Sequence, residues 1–521
     1  MEEKRIFRLA KPLRKGLLHL VFSRFFLIVL LLAVQILLTA SFFLWLRRYV
    51  PYLTIVQGAF TLGMVIYLFN SEMDSAAKLT WMLLISVLPL PGAALLLFTQ
   101  TNTGHRLIKQ RVESLIDETK TLLPQRTSTA ALAHDGSGTD DLAHYLSRSG
   151  CFPLYDCTAV RYFPSGEAKF EEMLAQLDKA ESFIFLEYFI IEEGYMWGEI
   201  LKRLIAKAAA GVEVRVLFDG MCQMKTLPVN YVRLLEAQGI KARAFSPIRP
   251  VVSSHYNYRD HRKILVIDWR VAFTGGVNLA DEYINRVERF GHWKDAAVML
   301  EGDAVESFTL LFLQMWNIYE KEPEWSPWIE ASAPLTEAPG GWVLPYGDCP
   351  LDGEKVGETV YMDILGRAND YVHIMTPYLI LDGELETALL YAAKRGVDVK
   401  LILPGIPDKK LPWALAKAHY KALLAAGVKI YEYTPGFVHA KVFVSDDSKA
   451  VVGTINLDYR SLYHHFECAA YLYKTPCIAD IERDFQDTLA QCRAVTPESV
   501  RSERLFYRLA GTLMRFIAPL L

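Results

Sequence analysis

The stretch Ala208-Ala-Ala-Gly211-Val-Glu-Val-Arg-Val-Leu-Phe218 runs a helix into a glycine and then into an alternating, β-branched strand, and Ala392-Ala-Lys-Arg-Gly396-Val-Asp-Val-Lys-Leu-Ile-Leu403 does the same. Glycine stops helices well because it tolerates positive φ. Outward from this pair the match continues. Upstream, Ala180-Glu-Ser-Phe-Ile-Phe-Leu-Glu-Tyr-Phe-Ile190 answers to Ala368-Asn-Asp-Tyr-Val-His-Ile-Met-Thr-Pro-Tyr-Leu-Ile380, each a helix end entering an apolar, aromatic strand. Downstream, Leu234-Leu-Glu-Ala-Gln-Gly239-Ile240 answers to Leu423-Leu-Ala-Ala-Gly427-Val428, and the two copies close near Pro247 and Pro435. A supersecondary plan met twice in the same order is an internal repeat. Helices alternating with apolar strands predict an α/β sheet covered on both faces. The chain is therefore expected to hold two α/β halves, residues 151–330 and 335–495, lying side by side as a pseudo-dimer.

At 521 residues the chain exceeds what one core organises, so several domains are the default. A formal net charge of -3 argues against the basic footprint of nucleic-acid binders, so no nucleic-acid partner is expected. The seven cysteines are scattered and form no C-x-x-C pair, which points neither to a zinc site nor to a disulfide framework. Apolar residues crowd into the first hundred positions. Phe25 to Leu46 is uncharged and, as a helix, would reach roughly 30 Å, the thickness of a bilayer core. Leu53 to Phe69 and Leu79 to Phe98 are further uncharged runs, the last with a kink expected at Pro89 and Pro91. Residues 1–100 thus read as a transmembrane helical region with two or three spans, making this a multi-pass protein of the cell membrane with the lipid bilayer as partner. Basic residues before the first run place the N-terminus in the cytoplasm. Three full spans would put the repeat outside and a re-entrant run would keep it inside, so the side stays open. Residues 101–150 read as a polar, helical linker. In the tail, 496–521, Arg504, Arg508 and Arg515 fall near one helical face with Leu505, Leu509, Leu513, Phe516 and Ile517 around the rest, the pattern of an interfacial helix or of an ordinary packed terminal one.

Each half carries one H-x-K-x4-D motif at the equivalent point of its repeat: His261-Arg-Lys263-Ile-Leu-Val-Ile-Asp268 and His439-Ala-Lys441-Val-Phe-Val-Ser-Asp446. Residues two apart on a strand share a face, so His261 projects with Lys263 and His439 with Lys441. Apposing the halves would gather two imidazoles and two ammoniums at one site, a set suited to a phosphodiester. Histidine serves as nucleophile or proton carrier near neutral pH, and lysine supplies charge to phosphate. Each motif is followed by a turn and an asparagine, in Thr274-Gly275-Gly276-Val-Asn278 and Gly453-Thr454-Ile-Asn456. Gly276 and Thr454 would allow close backbone approach and Asn278 and Asn456 would donate hydrogen bonds, so these four are candidate phosphate-binding residues. An imidazole nucleophile needs a partner that fixes its tautomer, and one carboxylate per half is available: Asp295 after His261 and Glu467 after His439. Asp268 and Asp446 complete the catalytic motif, with a structural part expected of them in tying the halves together. Tyr188 and Tyr378, at repeat-equivalent strand ends, are read as core residues beside a pocket wall.

The doubled motif and its G-G/T-x-N sequel resemble the phospholipase D superfamily, and the wider context is similar to bacterial cardiolipin synthases. The similarity is carried by Asn257-Tyr-Arg-Asp-His-Arg-Lys263, Ala272-Phe-Thr-Gly-Gly-Val-Asn-Leu-Ala-Asp-Glu-Tyr283, Thr376-Pro-Tyr378 and Gly453-Thr-Ile-Asn-Leu-Asp-Tyr-Arg-Ser461. In the membrane region it extends to Lys78-Leu-Thr-Trp81 and Pro89-Leu-Pro-Gly92. It departs at the N-terminus, where an extra hydrophobic run precedes the usual pair. The resemblance implies a reaction without metal or cofactor, in two steps through a phosphatidyl-histidine, with phosphatidylglycerol as donor and acceptor and cardiolipin and glycerol as products. By that analogy His261 is the nucleophile and His439 the acid/base, while the pseudo-symmetry of the motifs leaves the reverse open. The alternatives are a phospholipase D that passes the same intermediate to water and a non-catalytic lipid-binding scaffold. Oligomeric state is not legible.

Overall fold

The computed structural model describes residues 7–9, 37, 50–71, 73–100, 103–123, 132, 136–150, 152–247, 258–329, 339–503 and 505–520. These residues fall into two compact units, one holding both halves of the repeat and a smaller one built from the apolar helices after residue 50 and the end of the chain.

In the larger unit the first half forms a seven-stranded sheet. Its strands are β1 (Thr158–Phe163), β2 (Phe183–Tyr188), β3 (Glu213–Asp219), β4 (Lys241–Phe245), β6 (Lys263–Ile267), β7 (Val271–Gly275) and β9 (Ala297–Gly302), in the order β1-β9-β7-β6-β2-β3-β4. β2, β3 and β4 run parallel through helical crossovers, whereas β6, β7 and β9 meander antiparallel. The second half repeats this with β10 (Trp342–Asp348), β11 (Tyr371–Met375), β13 (Asp398–Pro404), β14 (Lys429–Tyr433), β16 (Val442–Ser445), β17 (Lys449–Gly453) and β19 (His465–Tyr473), in the order β10-β19-β17-β16-β11-β13-β14, and adds an antiparallel edge strand, Cys492–Ala494, beyond β14. Strand for strand the two orders correspond, as the duplicated sequence plan predicts. Helices cover the sheets, so β2 is buried at every residue from Phe183 to Tyr188, and the continuous apolar run the sequence carries there is what two covered faces demand. One buried cluster runs through both halves, from Phe185 and Val298 to Leu344, Val444 and Ala469. Helices Thr103–Thr119 and Thr139–Ser149, in the stretch read as a linker, add Leu115, Leu142 and Leu146 to that cluster. The halves also touch where Thr274 of β7 lies 3.4 Å from the Cys468 thiol of β19.

In the smaller unit, helix Val50–Phe69, with side chains described from residue 55 on, is followed by Ser75–Val87 and Pro89–Gln100. Among the described residues no helix is long and apolar enough to cross a membrane. The first run, Phe25 to Leu46, lies outside the described residues except for Leu37. The run from Leu79 to Phe98, expected as one kinked span, is instead two helices of 13 and 12 residues broken at Leu88. Proline restricts the residue before it to extended conformations, and Leu88, ahead of Pro89, takes φ −130° and ψ 74°. The chain then doubles back so sharply that a Cβ on Gly92 would sit 3.1 Å from the Ile85 main chain.

Candidate active site

Neither motif histidine lies inside a long strand. Each follows a very short strand that its half extends to the other half. β5 (Arg259–Asp260) pairs in parallel with the start of β19, Phe466 opposite Asp260, and the His261 N–H donates to the Phe466 carbonyl at 2.9 Å. β15 (Gly436–Val438) pairs in parallel with β8 (His292–Lys294), Val438 opposite Lys294, and the His439 N–H donates to the Lys294 carbonyl at 2.7 Å. One residue beyond each bridge the register sets His261 beside Glu467 and His439 beside Asp295.

Asp295 and Glu467, expected from the sequence as orienting carboxylates, each hydrogen-bond a motif histidine, and in both cases it is the histidine of the opposite half. His261 Nδ1 lies 2.8 and 2.9 Å from the two Glu467 oxygens, and His439 Nδ1 lies 2.8 Å from Asp295 Oδ2. Burial works to raise both carboxyls, yet the paired imidazoles outweigh it and hold Glu467 and Asp295 below the usual carboxylate range. With both carboxylates ionised, Nδ1–H is the donor and Nε2 is left as a bare lone pair on each ring. Burial pushes His439 down to about 4, with the Lys441 charge adding to it, and burial lowers His261 in the same direction against the pull of Glu467. Burial also lowers Lys263 to about 8 and Lys441 to about 7. Lys263 bears on both His439 and Lys441, and Lys441 in turn feels Glu467, so the groups of the two halves act on one another across a single site. Each ammonium donates to the carbonyl of its own motif histidine, Lys263 at 2.5 Å from the His261 oxygen and Lys441 to that of His439. Both ammoniums, brought by burial to titrate near neutral pH, hold their protons more firmly once a phosphodiester brings negative charge.

The residues after the motifs divide. A Cβ on Gly276 would fall 2.0 Å from Asp295 Oδ1 and 2.9 Å from the His439 carbonyl, so only glycine lets this carboxylate reach across. At the equivalent point Thr454 donates its hydroxyl to Glu467 Oε2. The two asparagines are not alike. Asn278 is held by the scaffold, accepting the Ile190 N–H at 3.1 Å and donating to the Tyr283 hydroxyl at 2.9 Å, and it acts on the site through Tyr283, whose ring stands edge-on to His439 at 5.4 Å. Asn456 is buried with its side-chain oxygen unpartnered. Asp268 and Asp446 are corrected more strongly. They do not tie the halves together or reach the site. Asp268 accepts the main-chain N–H groups of Glu181, Ser182 and Phe183 at 2.8–2.9 Å, and Asp446 those of Asn369, Asp370 and Tyr371 at 2.8–3.0 Å. Each sits at φ 52°, where aspartate is among the few tolerated residues, and pins the start of a central strand within its own half. Tyr188 is fully buried, as expected, and its hydroxyl accepts from Lys169.

Three site residues escaped the sequence reading. Lys169 is wholly buried, its ammonium held 3.0 Å from the Tyr188 hydroxyl and lowered to about 7 by burial, with the Asp295 charge opposing. Its signal was its place on the apolar face of helix Gly166–Asp178, one turn before Met173 and two before Leu177. Trp293 and His465, two residues before Asp295 and Glu467 respectively, lie against the catalytic rings, Trp293 at 5.3 Å from His439 and His465 at 5.2 Å from His261. The period of two along a strand could have placed both on the carboxylate face. Donor atoms of His261, His465 and Glu467 lie within 4.8 Å of one another, a set able to ligate a transition ion. The buried ammonium of Lys263 acts against a cation there and in favour of an anion.

Comparison with known proteins agrees with this architecture. A family model described as cardiolipin synthase, PLD-like domain, matches residues 173–316 and 361–489. An uncharacterized protein of Streptococcus mutans is 58% identical over 461 residues, spanning 88% of this chain and 100% of its own length. Cardiolipin synthase 2 of Bacillus anthracis is 34% identical over 469 residues (89% of this chain, 90% of its own), and the cardiolipin synthase of Geobacillus kaustophilus 31% over 504 residues (96% and 99%). The fold is similar to that of a phosphatidylserine synthase from Haemophilus influenzae, with TM-score 0.56 and 13% identity over 73% of this chain and 97% of that one. Duplicated lobes with crossed histidine–carboxylate pairs define an enzyme of the phospholipase D type. More particularly, the chain belongs to the cardiolipin synthase family with PLD-like domains and is a phosphatidyltransferase.

Proposed function

We propose that this enzyme moves the phosphatidyl group of one phosphatidylglycerol onto a second, giving cardiolipin and glycerol through a phosphatidyl-histidine. The observation that carries the reading is the crossed arrangement, in which each imidazole is fixed at Nδ1 by a carboxylate of the other half and keeps Nε2 for chemistry. The negative charge of the bound phosphodiester lets His439 take up a proton at Nε2; His261 Nε2 then attacks phosphorus, the bond to the glycerol oxygen breaks, and His439 hands that proton to the departing oxygen. His439, now neutral, takes the proton of a primary hydroxyl on a second phosphatidylglycerol. That oxygen attacks phosphorus and displaces His261. The nucleophile is assigned to His261 because Glu467, held in place by Thr454, grips its Nδ1 with both oxygens, a contact that raises electron density at Nε2, whereas Asp295 engages His439 through one oxygen. Lys263 and Lys441 neutralise the phosphate oxygens.

The reaction takes place at the bilayer, against which the apolar helices Ser75–Val87 and Pro89–Gln100 are inserted without crossing. Incubating purified enzyme with phosphatidylglycerol and separating the lipids tests the activity: cardiolipin plus glycerol supports transfer, whereas phosphatidic acid plus glycerol means that water is the acceptor. Quenching in mid-turnover with denaturant at mildly alkaline pH, where a phosphorus–nitrogen bond survives, should leave the phosphatidyl group on the peptide containing His261, and its recovery on His439 would reverse the roles.

A further inference from the structure

The two lobes match strand for strand yet differ at the residue facing each catalytic ring. In the first half that residue is Trp293, an indole against His439; in the second it is His465, an imidazole tilted 36° against His261. His465 is 7% exposed, and both of its ring nitrogens are buried without a hydrogen-bond partner. Its Nδ1 lies 3.6 Å from Glu467 Oε1, beside the carboxylate but beyond hydrogen-bond distance. A buried imidazole with both nitrogens unsatisfied is costly, and such groups find partners in almost every folded protein. Phe189, the other ring against His261, is apolar, at 4.9 Å from His261 and 6.3 Å from His465. The missing partner is therefore something the site receives.

We infer that His465 is a third substrate-contacting imidazole, which settles its Nδ1 on Glu467 and uses Nε2 to hydrogen-bond an oxygen of the glycerophosphate headgroup beside His261. A ligand in that place is recognised by oxygen chemistry shared by a phosphoryl oxygen and a headgroup hydroxyl. The charge on Lys263 favours an anionic or polar oxygen there over a cation. Because Trp293 offers no second imidazole on the other side, His465 makes the halves chemically unequal and gives the His261 side an extra contact to substrate.

The inference rests on the transfer reading, so wild-type product analysis comes first. Absence of cardiolipin would fail that reading and leave the test of His465 to whichever phosphatidyl product forms. The substitutions are then His465→Phe, which keeps a ring and removes both nitrogens, His465→Gln, whose amide N–H falls near the position of Nε2, and His465→Asn, whose amide falls near Nδ1. His465→Phe is expected to lower kcat/KM about tenfold or more, mainly through KM, with melting temperature and circular dichroism unchanged. His465→Gln should recover most of the loss and His465→Asn little of it. If His465→Phe fails to fold, the contrast between Gln and Asn carries the test. With phosphatidylethanol as donor, which lacks a headgroup hydroxyl, a persisting Phe defect identifies the phosphoryl oxygen and a vanishing one the hydroxyl. Kinetics of His465→Phe within twofold of wild type would overturn the assignment, as would equal behaviour of Gln and Asn. Loss of wild-type activity on chelation, restored by Zn2+, would place an ion on His261, His465 and Glu467 and overturn it as well.

Discussion

Gly276 shows how tightly a single position is constrained. Alanine there would drive a methyl into Asp295 Oδ1 and toward the His439 carbonyl, and the carboxylate must yield. Gly276→Ala is expected to lower kcat on the order of 100-fold with little change in fold, since displacements of about 1 Å at a positioned group have that size of effect. His261→Ala and His439→Ala should each abolish turnover in a folded protein, and cardiolipin formation by either variant would refute the two-histidine chemistry. The pH dependence follows from the lysines. In the free enzyme Lys441 and Lys263, at about 7 and about 8, lose charge as pH rises, so kcat/KM should fall above about pH 8. Bound phosphodiester holds those protons on, so the alkaline limb of kcat should lie at higher pH than that of kcat/KM. Coincident limbs would mean that neither ammonium meets the phosphate.

At the level of elements, Asp268 and Asp446 do the same work in the two halves, each gathering three N–H groups where a helix gives way to a central strand. Asp446→Ala is expected to cost about 1–3 kcal/mol, combining lost hydrogen bonds with a left-handed backbone that alanine tolerates poorly, while kcat stays near wild type. Denaturant unfolding and steady-state kinetics on the same sample check both halves of that statement. These aspartates also mark where sequence reading reached its limit. The halves, their shared succession of helices and strands and both histidines were legible because hydrophobic period and glycine placement are local and repeated. Asp295 and Glu467 were legible as residue types, but their crossing was not. It depends on β5 and β15, two- and three-residue strands that leave no periodicity and find their partners only in the opposite half. Lys169 was missed, and the scaffold bonds of Asn278 were not legible, for a related reason, since both depend on neighbours distant in the chain.

For the whole molecule, the distribution of apolar surface is the argument. Helix Ser75–Val87 buries Ala77, Thr80, Trp81 and Ile85, yet its other face is equally apolar, with Leu79 68%, Leu83 51% and Val87 69% exposed. A helix apolar on every side belongs in an apolar environment. Leu505, Leu509 and Leu513 form a comparable exposed stripe at the chain end, beside a face where Gly511 meets the main chain of Ala414. Acid weakens the catalytic lobes by a separate route. His439 titrates at about 4 when folded against an ordinary 6.5, so the unfolded chain binds more protons in between and stability falls as pH drops through that window, with Asp295 and Glu467 shifting the balance the same way. The two effects can be separated by experiment. Leu83→Glu should release the enzyme from carbonate-washed membranes or force it to aggregate in detergent-free buffer, because a carboxylate facing acyl chains costs about 2–3 kcal/mol or more. Leu83 belongs to the smaller unit and every catalytic group to the larger one, so in detergent micelles the variant should still convert phosphatidylglycerol at close to the wild-type rate. Retention in washed membranes equal to wild type would mean that this face meets protein or water and not lipid.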